Sequence, residues 1–131
     1  MSKSYYQLIF DPGQMQQLIA VLDQAITEEG YKSTGAPAQF YRGSGWWTAK
    51  RKIEYKIVDN SLNICIWKVV AFWLPMFEVG CSSASGAMGA MLNSAMQKSV
   101  ENIIMKISRV LPVTYTVRCR DVNDNYLDTL R

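Results

Sequence analysis

Lysines and tryptophans interleave in the middle of the chain, a combination suited to binding an anionic ligand. One side of a predicted strand carries Trp46, Lys50, Lys52 and Lys56, and Trp67 falls in the strand that follows. Aromatic rings stack on nucleic-acid bases, and lysines neutralise phosphates. The pattern predicts either a binding face made of these residues or a solvent-exposed lysine face beside a half-buried pair of tryptophans.

Single-stranded nucleic acid is one ligand that such a face suggests, because RNA-recognition domains bind RNA on an open sheet face. Two observations weigh against it. The strand that contains Trp67 lacks the aromatic run typical of those domains, and the isoelectric point of about 8.8 lies below the ~9 expected of a basic nucleic-acid domain. Residues 32–68 nevertheless carry seven basic side chains against two acidic ones, Glu54 and Asp59, within a net charge of +3.

The absence of histidine limits the chemistry that the chain can perform. Every mechanism with a histidine base is excluded, and the commonest transition-metal ligand is missing. Cys81 precedes a predicted helix, but no base accompanies it and no Gly-Lys-Ser/Thr phosphate loop follows. Cys65, Cys81 and Cys119 form no C-x-x-C pair. We therefore predict no enzyme, no catalytic residue, no metal and no cofactor.

Cysteine number and hydropathy also bear on cellular location. Three cysteines leave one thiol outside any intrachain pairing, which favours reduced thiols and a cytoplasmic protein. The first residues lack the apolar segment of a secretory signal. The longest uninterrupted apolar run, residues 69–77, is shorter than the ~20 residues of a transmembrane helix. We expect no membrane-spanning segment.

The run at residues 69–77 is a second candidate for function, because it is apolar on both faces of a predicted strand. Such a strand must be covered on both faces or remain adhesive. Burial in the core beneath the second helix competes with a dimer interface and with contact to a ligand or membrane surface. The interface candidates are Val69, Phe72, Trp73, Met76 and Phe77.

The N-terminal elements follow from periodicity and capping. Residues 5–10 form a β-like run that ends at Asp11, a good helix N-cap followed by proline. Apolar residues then recur at helical spacing as far as Gly30, which suits the residue after a helix. The sequence predicts a strand and then an amphipathic helix.

A β-hairpin carries the candidate binding face. Residues 46–58 and 62–68 alternate between apolar and polar side chains around a turn at Asp59-Asn60-Ser61. The preceding residues 33–45 are rich in glycine, serine, alanine and proline. They read as a loop that contains a short strand at residues 39–41.

The C-terminal part adds a helix and a strand, and completes the predicted fold. Residues 86–110 have helical spacing, residues 113–120 alternate, and the polar tail from Asp121 is expected to fray. The order β-α-β-β-α-β predicts a single α+β domain over residues 1–131. Its plan would be a ferredoxin-like two-layer sandwich with both helices on one face of an antiparallel sheet. A more curved relative with longer strands is the alternative.

The middle of the chain also carries an ordered succession of short motifs. Gly45-Trp46-Trp47-Thr48-Ala49-Lys50 is followed by Tyr55, Asn60, Trp67 and then Gly89-Ala90. Over residues 43–107 this resembles an uncharacterised family of small bacterial domains, mostly Gram-positive, with the pattern G-W-hydrophobic-T-A-x-K … W … G-A. The chain lacks the zinc-ribbon cysteines and the Pro-Lys-Lys segment of some relatives. The resemblance implies a bacterial, intracellular α+β domain and assigns no site.

Three functions are compatible with these patterns. The leading prediction is a non-catalytic interaction or self-assembly module, whose partner is a second copy or another protein. The second is a binder of a small apolar or anionic ligand in the cleft between the sheet and the second helix. The third is single-stranded nucleic-acid binding through Trp46, Trp67 and the hairpin lysines.

Overall fold

A computed structural model describes residues 2–43, 50–70, 77–79, 86–123 and 125–130. None of the helices in these residues is long and apolar enough to cross a membrane. The helices are α1 (Met15–Glu28), α2 (Gly86–Ser108) and α3 (Tyr126–Thr129). The strands are β1 (Ser2–Phe10), β2 (Lys32–Ser33), β3 (Gln39–Arg42), β4 (Lys50–Val58), β5 (Ser61–Val70), β6 (Phe77–Val79) and β7 (Val113–Asn123).

The strands form one antiparallel sheet. Its order is β2-β3-β4-β5-β1-β7, and β6 pairs with the end of β5. The register joins Ile53 of β4 to Ile66 of β5, and Tyr6 of β1 to Ile64 of β5. The predicted α+β class and its antiparallel sheet are confirmed.

The predicted β-α-β-β-α-β order is not the one found. β2 and β3 lie between α1 and β4, β6 lies between β5 and α2, and α3 follows β7. The short strand predicted at residues 39–41 is found as β3, and the small residues before it form a turn. The two-residue strand β2, which pairs with β3, was not predicted. Phe40 of β3 is buried and pairs with Ile53, which explains why this segment joins the sheet.

The first helix ends just before Gly30, as the sequence predicted, but the predicted cap at Asp11 begins a 3₁₀ turn at Pro12–Gln14 and α1 itself begins at Met15. The Asp11 carboxylate accepts a hydrogen bond from the Gly13 amide at 3.0 Å, and a short 3₁₀ turn leads into α1. Gly30 has a φ of 93°, a conformation that glycine adopts without strain. Asp11 therefore acts as a capping residue and Gly30 as the residue after the helix, as the local sequence predicts.

The main core lies between the helices and one face of the sheet. Leu22 and Ile26 of α1 and Val100 and Ile107 of α2 are buried there. We call this side the helix-covered face. Its sheet residues are Tyr6, Leu8, Phe40, Ile53, Ile64 and Ile66.

The other side of the sheet holds a smaller cluster. Tyr5, Cys65 and Trp67 are buried against Leu127 of α3. We call this side the opposite face. Since α3 covers only its β5-β1-β7 part, the residues of β3 and β4 on this face are not part of that cluster.

Residues 69–77 do not form the single strand that the sequence predicted. β5 ends at Val70, and Phe77 begins β6, which runs back antiparallel with Val70 paired to Phe77. Phe72, Trp73 and Met76 lie outside the described residues.

The C-terminal residues are more ordered than their composition suggested. β7 continues past Arg120 to Asn123, where its partner is Ser2 of β1. Leu127 of α3 is 4% exposed. Regular elements therefore lie in the tail that was expected to fray, where β1 supplies a strand partner and the opposite face an apolar surface.

Candidate functional site

The described lysines of the predicted binding face lie on the opposite face of the sheet. Lys52 is paired with Trp67, Lys56 with Asn63, and Lys50 with Val69. Neighbouring strands lie ~4.8 Å apart, so the register makes these residues neighbours. Trp46 lies outside the described residues.

Trp67 is a buried residue with a cation above its ring. Its exposed fraction is 7%, and the Lys3 ammonium lies 3.9 Å from the ring centroid. In the described part of the chain its Nε1 has no hydrogen-bond acceptor. An unsatisfied buried donor costs ~1–3 kcal/mol. An acceptor from a ligand or a water molecule would recover that free energy.

Two further lysines continue this arrangement towards β3. The Lys50 ammonium lies 4.7 Å from the ring centroid of Tyr41, and Tyr41 is paired with Lys52. We call Lys3, Tyr41, Lys50, Lys52 and Trp67 the basic strip. The carboxylate beside it is that of Glu54, which lies 4.0 Å from the Lys3 ammonium. The strip therefore has an excess of positive charge.

Lys56 has a different role from the other hairpin lysines. Its ammonium donates to the backbone oxygens of Leu127 and Leu130, at 3.1 and 2.9 Å. These bonds satisfy carbonyl groups at the end of α3, where a cation is also favoured electrostatically. Lys56 thus attaches the C-terminal residues to the opposite face.

Replacing Lys56 by methionine should loosen α3 without unfolding the sheet. The loss of two hydrogen bonds from a charged donor is expected to lower the local stability of residues 125–130 by ~1–3 kcal/mol. Hydrogen exchange of the C-terminal peptide would measure it. Lys52→Met on the same strand is the control, and equal exchange in both variants would contradict this role.

Asn63 connects the strands beneath this surface. It is 1% exposed, and its side-chain oxygen accepts hydrogen bonds from the Tyr5 hydroxyl and from Gln7 Nε2. Its amide nitrogen donates to the Lys56 backbone oxygen and to Ser61 Oγ, both at 3.2 Å. The Asn63 side chain is therefore hydrogen-bonded through both its oxygen and its nitrogen.

Aromatic and cationic groups surround Tyr5 at the α3 side. The rings of Tyr5 and Tyr126 meet edge to face at 4.6 Å, and Arg120 donates to the Tyr126 hydroxyl at 2.8 Å. Burial first, and then Tyr126, raise the pKa of Tyr5 to about 12. The phenol stays protonated at neutral pH, which suits its role as a donor to Asn63.

The cysteines in the described part of the chain are Cys65 and Cys119. Burial raises the pKa of the Cys65 thiol to about 12, so this cysteine is not an activated nucleophile. Cys119 accepts a hydrogen bond from Gln97, and both cysteines are free. Within the described ranges no group of three acidic, cysteine or histidine side chains is placed to hold a metal.

Sequence reasoning missed a second set of basic residues. Arg42 is paired with Arg51, and Arg51 with Lys68, on the helix-covered face. The alternation of side chains along the strands could have found them. Arg51 lies two positions from buried Ile53 and Lys68 two positions from buried Ile66, so each points to the same side of the sheet as its buried neighbour. We call these three residues the basic row.

The interface candidates are placed only in part. Val69 is paired with Lys50 on one side and with Glu78 on the other, and Phe77 is paired with Val70. The other three candidates lie outside the described residues. Their role in an interface stays a prediction.

Comparison with known proteins adds no family. No protein-family model, no curated protein and no solved structure matches this chain. The proposed function therefore rests on the geometry of the basic strip.

Proposed function

We propose that the protein is a non-catalytic interaction module that binds an acidic segment of a partner protein through the basic strip. The carrying observation is the register that places Lys52 between Tyr41 and Trp67, with Lys3 over Trp67 and Lys50 over Tyr41. Glu54 is the one carboxylate described beside these lysines. Charge complementarity of this kind steers association and sets orientation.

The structure of the sheet edges supports binding of the partner to a face of the sheet and not to an edge strand. β2 is two residues long and begins with a lysine. β7 has register shifts near Gln7, and Cys119 has a φ of 55°. Short strands, bulges and charges are the devices that prevent edge-to-edge pairing. We therefore place the partner on the strip.

A binding assay with paired variants tests this proposal. The probe is a fluorescein-labelled poly-glutamate peptide, followed by anisotropy at low salt. Lys50→Gln/Lys52→Gln is expected to weaken binding about tenfold, or ~1.4 kcal/mol. The control, Lys32→Gln/Lys98→Gln, removes the same charge from exposed positions. Equal weakening in both double variants would show non-specific attraction and refute the proposal.

The other predicted partners are outcomes of related measurements. Tighter binding of single-stranded oligo-thymidine than of poly-glutamate, lost in the same variant, would replace a protein partner by nucleic acid. Light scattering across a tenfold dilution measures self-association. A dimer that Phe72→Glu converts to a folded monomer would make the partner a second copy.

A ligand in a cleft beside α2 remains the alternative function. A cleft of about 370 Å³ lies between α2 and β7, with Ile104, Met105 and Tyr115 in its lining. Its apolar side chains fit the prediction of a small apolar ligand. The polar residues of its lining are Glu101, Asn102, Ser108 and Arg118, of which Arg118 and Glu101 are paired with each other.

Three broader predictions are retained as proposals. Free Cys65 and Cys119 support a cytoplasmic location. The adjacency of the four longest strands, β4-β5-β1-β7, supports an elaborated ferredoxin-like plan, to which β2, β3, β6 and α3 do not belong. The resemblance to small bacterial domains rests on the motifs alone.

A further inference from the structure

Three basic residues occupy one row across three neighbouring strands. Arg42 of β3 is paired with Arg51 of β4, which is paired in turn with Lys68 of β5. Phe40, Ile53 and Ile66, two positions away on the same strands, belong to the main core. The basic row therefore lies on the helix-covered face, where like charges directly opposite each other are destabilising.

Lys68 is the most deeply placed of the three. Its exposed fraction is 3%, and neither Lys68 nor Arg51 forms an ion pair within the described residues. Arg42 donates to the backbone oxygen of Glu29 at 2.8 Å, at the end of α1. Cationic side chains directly opposite one another without a counter-charge are costly, so the row calls for an anion.

The rest of the chain is poorly placed to supply that anion. Residues 69–97 contain one acidic residue, Glu78, and residues 44–49 contain none. Glu78 is paired with Val69 and not with Lys68. The carboxylates of Glu28 and Glu29 are paired with Lys106. Apart from Glu78, residues 44–49 and 69–97 therefore have no carboxylate to offer the row.

We propose that the basic row is a binding site for a small soluble molecule that carries more than one phosphate group. Arginine binds phosphate through paired hydrogen bonds, and lysine binds it as a point charge. The row crosses three strands, or ~10 Å, which exceeds the width of one phosphate. This site lies on the other side of the sheet from the basic strip and is independent of the proposed function.

The titration of Lys68 agrees with this geometry. Burial, and then the neighbouring Arg51, lower the pKa of Lys68 to about 8. A bound anion would reverse both effects by compensating the buried charge. The empty site is therefore the costly state, and the occupied site the stable one.

Calorimetric titration with sodium pyrophosphate tests the site. It is carried out in a phosphate-free buffer, against sodium chloride at equal ionic strength. The wild-type chain is expected to bind, Arg51→Gln to bind at least tenfold more weakly, and Lys68→Met to lose binding. Lys52→Gln is the matched control, because it removes the same charge from the adjacent residue on the opposite face. Its affinity should stay within twofold of the wild type.

Two outcomes would overturn the proposal. One is that the folded wild-type chain binds neither pyrophosphate nor vesicles that contain phosphatidylinositol phosphate. The other is an equal loss in Lys52→Gln and Arg51→Gln, which would show a diffuse ionic effect. Since phosphate also occurs in lipid headgroups, vesicles with and without phosphatidylinositol phosphate form a second arm. Vesicle binding that Arg51→Gln abolishes, without pyrophosphate binding, would support the row and assign its phosphate to a lipid.

Discussion

Substitution of Lys68 by methionine is expected to raise the free energy of unfolding of the ligand-free protein by ~1–3 kcal/mol at pH 7. Lys68 is 3% exposed, and Arg51 stands opposite it on β4. Methionine has a similar length and adapts to irregular spaces, so it removes the charge and keeps most of the packing. Denaturant unfolding in a phosphate-free buffer would measure the gain.

The pH dependence identifies the charge as the cause. Burial and Arg51 lower the pKa of Lys68 from its ordinary 10.5 to about 8. Below pH 8 both the folded and the unfolded chain hold the proton, so the full penalty is present. Between pH 8 and 10.5 the folded chain releases a proton that the unfolded chain keeps, and wild-type stability rises with pH relative to Lys68→Met.

The control for this comparison is Lys98→Met, an exposed position on α2. Its effect should stay within ~0.5 kcal/mol and show no comparable pH dependence. If the difference in unfolding free energy between wild type and Lys68→Met is the same at pH 7 and pH 10, the higher stability of the variant comes from packing. If added pyrophosphate reduces the difference in unfolding free energy between wild type and Lys68→Met, the result is connected to the phosphate site.

Local sequence was sufficient wherever a structure depends on neighbouring residues. Asp11 and Gly30 bracket α1, and alternation in the hairpin places Lys52 beside Trp67. The same alternation assigns Arg51 to the buried side. It was missed because a basic residue between two lysines is typical of a solvent-exposed face. What the sequence could not supply is the cross-strand register that brings Arg42, Arg51 and Lys68 into one row.

Elements that depend on distant partners were missed. Residues 126–130 are short and partly polar, and α3 is stable only because Tyr126 and Leu127 pack near Tyr5. β6 is three residues long and owes its conformation to pairing with β5. Propensity is a weak guide at such lengths, because tertiary contacts provide most of the stabilisation.

The two basic sites lie at the same end of the sheet but on opposite faces. Arg51 and Lys52 are consecutive residues of β4, so alternation directs one towards the helices and the other away from them. A charge-neutralising substitution at either position changes net charge equally. Differences between these two variants therefore report on the face concerned and not on the overall field of the protein.

The second large effect is expected at Asn63, whose replacement by leucine should cost ~2–5 kcal/mol of stability. Asn63 is buried and accepts from Tyr5 and Gln7 on β1 while it donates to Lys56 on β4. Leucine has similar volume but leaves those donors without an acceptor. Asn102→Leu, which breaks one side-chain bond to Glu29 on a partly exposed helix position, is the control.

A double-mutant cycle with Tyr5→Phe separates hydrogen bonding from packing at Asn63. In the single variant Asn63→Leu the Tyr5 hydroxyl stays buried and unsatisfied, and Tyr5→Phe then removes it. The double variant should therefore be less destabilised than the sum of the single variants, by ~1–2 kcal/mol. Strictly additive losses, measured by denaturant unfolding, would mean that the two side chains act independently. The bond between β1 and β5 would then not account for the stability of the opposite face.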